Sequence, residues 1–321
     1  MHSFKELSTL FSEKFKENIL PKQPGKLYEA GNYFMQLGGK RIRPVMCLMG
    51  NELFDDIHPD TWEAAFAIEL FHNFTLIHDD IMDKASLRRG QPTVHEKFGS
   101  STALLAGDVL LVIAYDHLNR INTTHLKKII QLFNRTAKEV CDGQQLDMEF
   151  EQMENVSMAD YLHMIELKTS VLLASCLQMG AVLGGASVGN QQHLYEFGKN
   201  LGIAFQIQDD FLDAFGDAAK FGKERGGDIK TNKKTFLLIH ALETGNASQQ
   251  KKLRELIKAD GPSKVQEVLT IFRDSKVDVW AEQLKEKYYA EAMKHLEAAM
   301  VMSKRKEPLA ELAQFLMERD Y

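Results

Sequence analysis

The chain has 321 residues and carries 39 Lys plus Arg against 45 Asp plus Glu, a net charge of −6. That balance excludes the clustered basic surface on which nucleic-acid binding rests, and 44% hydrophobic with 26% charged residues excludes disorder and collagen-like repeats. Only seven prolines occur, none of them between Thr93 and Asp260, so a long stretch contains nothing that forbids helices and an all-α protein is expected.

Met1 to Phe15 alternates charged with apolar residues and lacks the apolar centre of a signal peptide. No window approaches the roughly 18 consecutive apolar residues of a membrane span. A cytoplasmic protein without stable membrane insertion is therefore expected. Cys47, Cys141 and Cys176 lie far apart inside apolar patterns and read as reduced core thiols. The loop Gly38-Gly39-Lys40-Arg41-Ile42-Arg43-Pro44 places three cations before a helix. Asp55-Asp56-Ile57-His58-Pro59-Asp60 reads as an acidic, solvated loop.

From Thr61 to Ala85, Ala64, Ala67, Ile68, Phe71, Phe74, Thr75 and His78 recur at three- and four-residue intervals, the mark of a helix packed on one face. Further helical periodicity covers Thr102–Asn119, Leu126–Cys141, Met158–Leu183, Gln191–Ala214 and Thr235–Glu243, and strand signals are nearly absent. Charged amphipathic helices punctuated by Gly261-Pro262 and Pro308 complete the chain. No proline- or serine-rich linker divides it, so one domain spanning residues 1–321 is the economical expectation.

Two segments echo one another across 130 residues: Ile77-His78-Asp79-Asp80-Ile81-Met82-Asp83 and Ile207-Gln208-Asp209-Asp210-Phe211-Leu212-Asp213. In each, the first and last aspartates are four apart on a helix, which stacks their carboxylates on one face. Three carboxylates at the end of an apolar helix repel one another and need compensating cations. Magnesium suits them, because it takes one or two carboxylates and shares its other positions with water and substrate phosphate. The loops that follow add Arg88 and Arg89 after the first cluster, and Lys223 and Lys233 after the second. Carboxylates beside such cations describe a site for a polyphosphate leaving group. A nucleotide P-loop does not fit, since Glu224 stands after Gly222-Lys223 where Ser or Thr should follow.

Together these residues resemble the trans-isoprenyl diphosphate synthases, the polyprenyl synthetase family. The likeness runs through Gly38 to Pro44, the first aspartate motif with Arg88-Arg89-Gly90, Gly143-Gln144 with Asp147, Lys168-Thr169, Gln206 with the second motif, Gly222-Lys223, Gly227-Asp228-Ile229 and Asn232-Lys233. The resemblance implies a helical bundle around a deep central cavity and a head-to-tail condensation of isopentenyl diphosphate with an allylic diphosphate: dimethylallyl, geranyl or farnesyl. It implies that Asp79, Asp83 and Asp209 bind magnesium, three ions when substrate is present, with Asp80, Asp210 and Asp213 completing the acidic set. Arg88, Lys168, Lys223 and Lys233 would grip the allylic diphosphate. Lys40, Arg43, His72 and Arg89 would hold isopentenyl diphosphate, and Thr169 and Gln206 would stabilise the allylic cation. The family is commonly homodimeric.

Helix geometry places Phe74 about 7–8 Å along the helix from Asp79, with Phe71 deeper still. An aromatic at 74 followed by the small Thr75 is similar to the archaeal-type geranylgeranyl pattern, which implies a C20 product, with C15 the nearest alternative. A class I terpene cyclase and a non-catalytic subunit of a heteromeric synthase are the competing readings. The first usually varies the second motif and the second usually loses aspartates, whereas both motifs here are complete.

Overall fold

The computed structural model describes residues 1–16, 20–216, 226–259 and 261–318. The chain is all-α. Its elements are α1 (Phe4–Lys16), α2 (Gly25–Gln36), α3 (Ile42–Glu52), α4 (Pro59–Met82), β1 (Leu87–Arg88), β2 (Gln91–Pro92), α5 (Val94–Phe98), α6 (Ser100–Leu118), α7 (Thr123–Gln152) and α8 (Met158–Ile165). A π-helical turn, Glu166–Ser170, joins α8 to α9 (Val171–Leu183). There follow α10 (Val188–Phe215), α11 (Gly227–Lys230), α12 (Phe236–Thr244), α13 (Ala247–Lys258), α14 (Lys264–Asp274), α15 (Val277–Ala298) and α16 (Ser303–Glu318). Among the described residues the only sheet is the antiparallel ribbon of β1 and β2, two residues each.

The chain groups into two compact units: Met1–Phe133 with Cys176–Gln191, and Asn134–Ser175 with Gln192–Tyr321. In the first, α1 buries Leu7, Phe11 and Phe15, and Phe11 lies 5.5 Å from Phe66 of α4. Each such side chain contributes roughly 1.5–3 kcal/mol on leaving water. The α3 backbone approaches α9 so closely that a Cβ on Gly180 would sit 2.0 Å from the Cys47 carbonyl. In the second unit, Tyr161, Phe236, Leu253, Leu269, Phe272 and Val277 belong to one buried cluster from successive helices.

Several expectations are corrected. Asp60 is buried, opens α4 directly after Pro59 and accepts from the Asn122 N–H at 3.0 Å, so only Asp55 and Asp56 behave as solvated surface. Cys47 and Cys176 are buried free thiols, whereas Cys141 is exposed. Pro308 lies inside α16 and does not break it. Separately, Lys306 is buried and donates to the Glu297 carbonyl at the end of α15, where a cation meets the negative end of the helix dipole. Two helical stretches, Ser100–Leu118 and Met158–Leu183, each contain an 18-residue window with the mean hydropathy of a membrane span; 39% and 78% of those windows respectively is buried within the protein.

Candidate active site

The first aspartate cluster forms the last turn of α4. His58 starts this helix by accepting from the Asp60 N–H, with Pro59 in its first turn. Asp83 is its C-cap, its N–H bonded to the Asp79 carbonyl. The middle carboxylate, Asp80, is 1% exposed. Arg88 of β1 grips it: Nε donates to both oxygens at 2.9 Å and Nη2 lies 2.8 Å from Oδ1. The same guanidinium reaches Asp79 Oδ2 at 3.5 Å. Burial pushes the Asp80 carboxyl up while Arg88 opposes the shift. Asp79 retains partial exposure and Asp83 is exposed. Arg88, expected on the substrate diphosphate, is thus engaged by the protein's own carboxylates.

The second cluster lies near the end of α10. Asp210 is buried, accepts from Tyr161 Oη and receives Gln206 Nε2 at 2.8 Å. Burial pushes its carboxyl up to about 7. Burial and the neighbouring Asp210 hold the Tyr161 hydroxyl well above its usual range, so it remains a donor. Gln206 Oε1 in turn accepts from Thr169 Oγ1 at 3.1 Å. The two residues expected to face the cation are therefore joined in one hydrogen-bonded chain that ends on Asp210. Asp213 accepts the Asp228 N–H at 3.1 Å, and its own carbonyl accepts from Gly226, which fixes the turn into α11. Lys223 lies outside the described residues.

Lys168 and Thr169 sit in the π turn, a local widening of the helix often found at functional positions. Close backbone approach flanks that turn: a Cβ on Gly143 would lie 2.3 Å from Lys168 N, and one on Gly202 would lie 2.7 Å from Ser170 Cα. Lys168 Nζ binds Asp147 at 2.6 Å, and Lys233 Nζ stands 3.9 Å from the same oxygen. Burial acts to raise the Asp147 carboxyl, but the two lysines outweigh it and leave it lowered. Asn232, next to Lys233, holds φ at 60° and accepts from the buried Lys264 at 2.7 Å.

The cations expected on isopentenyl diphosphate assemble in the first unit. Arg89, at φ 54°, donates to the Gly38 carbonyl, and a Cβ on Gly39 would meet its guanidinium at 3.0 Å. Arg41, at φ 52°, pairs with the buried Glu69 and donates to Met35 O at 3.0 Å. Non-glycine residues in this left-handed region store strain and tend to cluster at functional sites. Arg43 Nη1 contacts His72 Nε2 at 3.1 Å. A guanidinium only donates, so Nε2 accepts and the ring proton resides on Nδ1. Burial and then Arg43 hold the imidazole well below its ordinary range, so His72 is neutral. Arg43 Nε is buried and makes no hydrogen bond in the protein. Lys40 is exposed on the same loop.

On α4, Phe71 is 1% exposed and packs edge-on to Phe133 at 5.2 Å. Phe74 lies 5.7 Å from Phe71 and 4.7 Å from His78, and Thr75 Oγ1 donates back to the His72 carbonyl at 2.8 Å. Phe74 and Thr75 keep partial exposure. His78 itself contacts the Leu104 carbonyl of α6 at 3.0 Å, over Gly107.

The donor chemistry fits magnesium. The outer carboxylates are hard oxygen donors at helix ends, and among the described residues no three His, Cys, Asp or Glu side chains converge to enclose a metal by themselves. Magnesium commonly binds in that way, sharing its shell with water and phosphate. Glu69, Asp147 and Tyr161 were not among the expected site residues. Asp147 had a sequence signal beside Gly143-Gln144, whereas Tyr161 had none, being 49 residues from its partner.

Residues 24–274 match the family described as polyprenyl synthetase. A geranylgeranyl diphosphate synthase of Methanosarcina mazei is 42% identical over 232 residues, covering 71% of this chain and 72% of that protein. A short chain isoprenyl diphosphate synthase of Methanocaldococcus jannaschii is 38% identical over 321 residues, covering 96% of each. A crystal structure of a geranylgeranyl pyrophosphate synthase superposes with a TM-score of 0.93 at 41% identity, covering 99% of both chains. With both aspartate motifs and the cationic loops in the expected order, the chain belongs to the polyprenyl synthetase family.

Proposed function

We propose that this protein is a magnesium-dependent trans-prenyltransferase, acting as one catalytic domain, that joins isopentenyl diphosphate to allylic diphosphates and stops at C20. The observation that supports it most is shared by both aspartate clusters: Asp80 and Asp210 are buried and bound by protein donors, while the outer aspartates stand at the helix ends. Asp79, Asp83 and Asp209 would hold magnesium on the allylic diphosphate, with Asp213 beside them. When bound, the ions supply Lewis-acid stabilisation of the departing diphosphate. Lys168, Lys233 and Lys223 would neutralise the same group, and Arg88 would exchange part of its hold on the aspartates for it.

Arg43, Arg89, Lys40 and the His72 Nδ1–H would orient isopentenyl diphosphate. Holding the second diphosphate with fixed donors puts its double bond next to the forming cation and removes the entropy cost of the encounter. Thr169 and Gln206 would present oxygens to that cation, and the released diphosphate would take the proton that restores the alkene. The product length rests on Phe74, partly exposed one turn and a half before Asp79. A second copy of the chain would cover the apolar face of α6, where Leu104, Leu105, Val112 and Tyr115 are 49%, 55%, 60% and 38% exposed. The proposed assembly is a homodimer, and the proposed location is cytoplasmic.

The test is incubation of purified protein with magnesium, isopentenyl diphosphate and C5, C10 or C15 allylic diphosphate, followed by product-length analysis. A C20 product supports the proposal. A cyclised hydrocarbon would assign the chain to the cyclases, and no elongation from any primer would remove the reading altogether. Phe74→Ala should lengthen the product; an unchanged C20 product would show that Phe74 is not the floor.

A further inference from the structure

The second unit carries a histidine pair that the proposed chemistry does not use. His193 near the start of α10 and His295 near the end of α15 face each other with Nδ1 to Nδ1 at 3.2 Å, ring centroids 5.5 Å apart and planes inclined at 45°. His295 Nε2 lies 3.5 Å from Glu291 Oε1, one turn earlier on the same helix. Lys294 shares that carboxylate, at 3.1 and 3.2 Å. Sixteen residues of one helix separate His193 from Asp209, about 24 Å at ~1.5 Å per residue, so this pair is remote from the second aspartate cluster.

Two imidazole nitrogens bound to one zinc at ~2.0–2.1 Å with a tetrahedral angle stand about 3.3 Å apart. The pair is already spaced to chelate. Glu291 favours the proton on His295 Nε2, which turns the Nδ1 lone pair toward His193. Metal-binding histidines commonly have a carboxylate behind the ring in this way. In the metal-free pair, His193 Nδ1–H donates to His295 Nδ1. For chelation that proton moves to His193 Nε2, and no net proton is lost. We propose that His193 and His295 form a binding site for an imidazole-seeking divalent transition metal such as zinc, completed by water and oriented by Glu291. It would tie α10 to α15 independently of magnesium.

The test is titration of the chelator-stripped, full-length protein with zinc, read by calorimetry and by the histidine ring signals in NMR. One equivalent should move the His193 and His295 signals together. His193→Gln and His295→Gln should each weaken that equivalent at least tenfold, with a smaller loss for Glu291→Gln. Zinc that leaves both ring signals of the wild-type protein in place would overturn the proposal, a result that needs no variant to fold. So would an unchanged zinc affinity and stoichiometry in the double variant.

Discussion

The two aspartate clusters use one sequence device and solve its electrostatic problem differently. At the end of α4 the buried Asp80 is met by a full positive charge, the guanidinium of Arg88. Near the end of α10 the buried Asp210 is met by two neutral donors, Tyr161 and Gln206. Charge against charge ties the first cluster to the ribbon that carries Arg88 and Arg89. Burial, with the nearby Asp228, pushes the second carboxyl up to about 7 against these donors and Lys233, and Gln206 connects it to Thr169. Both arrangements occupy the middle aspartate with protein donors and set the outer pair toward the helix end. The motif therefore encodes a position on a helix more than three equal ligands.

Variants that attack the outer carboxylates should have the largest effect and should treat the clusters alike. Asp79→Ala and Asp209→Ala are each expected to lower kcat by ~10²–10³-fold, the scale of losing one electrostatic group that acts on a developing anion. Steady-state elongation rates check this. A loss confined to one cluster would break the symmetry of the account.

Variants of the middle pair should separate the clusters. Arg88→Ala leaves Asp80 buried without its cation and is expected to cost about 3 kcal/mol, the lower end for a broken buried pair because Arg88 keeps some exposure. Tyr161→Phe removes one of two neutral donors and should cost about 1–2 kcal/mol. Urea unfolding of the metal-free protein orders the two; a larger loss in Tyr161→Phe would contradict the ionic and neutral assignments.

The smallest effect belongs to the cationic cluster of the first unit. His72 is held neutral, with a folded-state pKa below its unfolded value. The unfolded chain therefore takes up the proton first on acidification. Stability from this group is full above about pH 6.5 and falls below it by at most ~1.4 kcal/mol per pH unit until the folded-state pKa is reached. His72→Asn should flatten that acid limb in thermal melts of the unliganded protein, and an unchanged slope would show that His72 is not held neutral.

Much of this arrangement was legible in the sequence because it follows from local rules. Periodicity located α4 within a few residues and matched the limits of Met158–Leu183, while Gly and Pro marked the loops. What escaped was set by tertiary contact. The π turn under Lys168 and Thr169 depends on close backbone approach at Gly143 and Gly202, which no local pattern shows. The helix ending at Gln152 runs eleven residues past the expected Cys141, because its polar second half still carries site residues such as Asp147. Asp60 looked like surface charge and instead bonds to the backbone at Asn122. Neither the Arg88–Asp80 grip nor the Tyr161–Asp210 bond could be inferred from the repeated motif, since the partners differ in type and in sequence distance.

The proposed function requires both clusters to act on one allylic diphosphate. Its most direct test is calorimetric binding of an unreactive allylic diphosphate analogue in the presence of magnesium, comparing wild type with Asp79→Ala/Asp83→Ala and with Asp209→Ala/Asp213→Ala. Each double variant is expected to lose the magnesium-dependent part of the affinity. A variant of either cluster that binds the analogue as tightly as wild type, with the same dependence on magnesium, would contradict it.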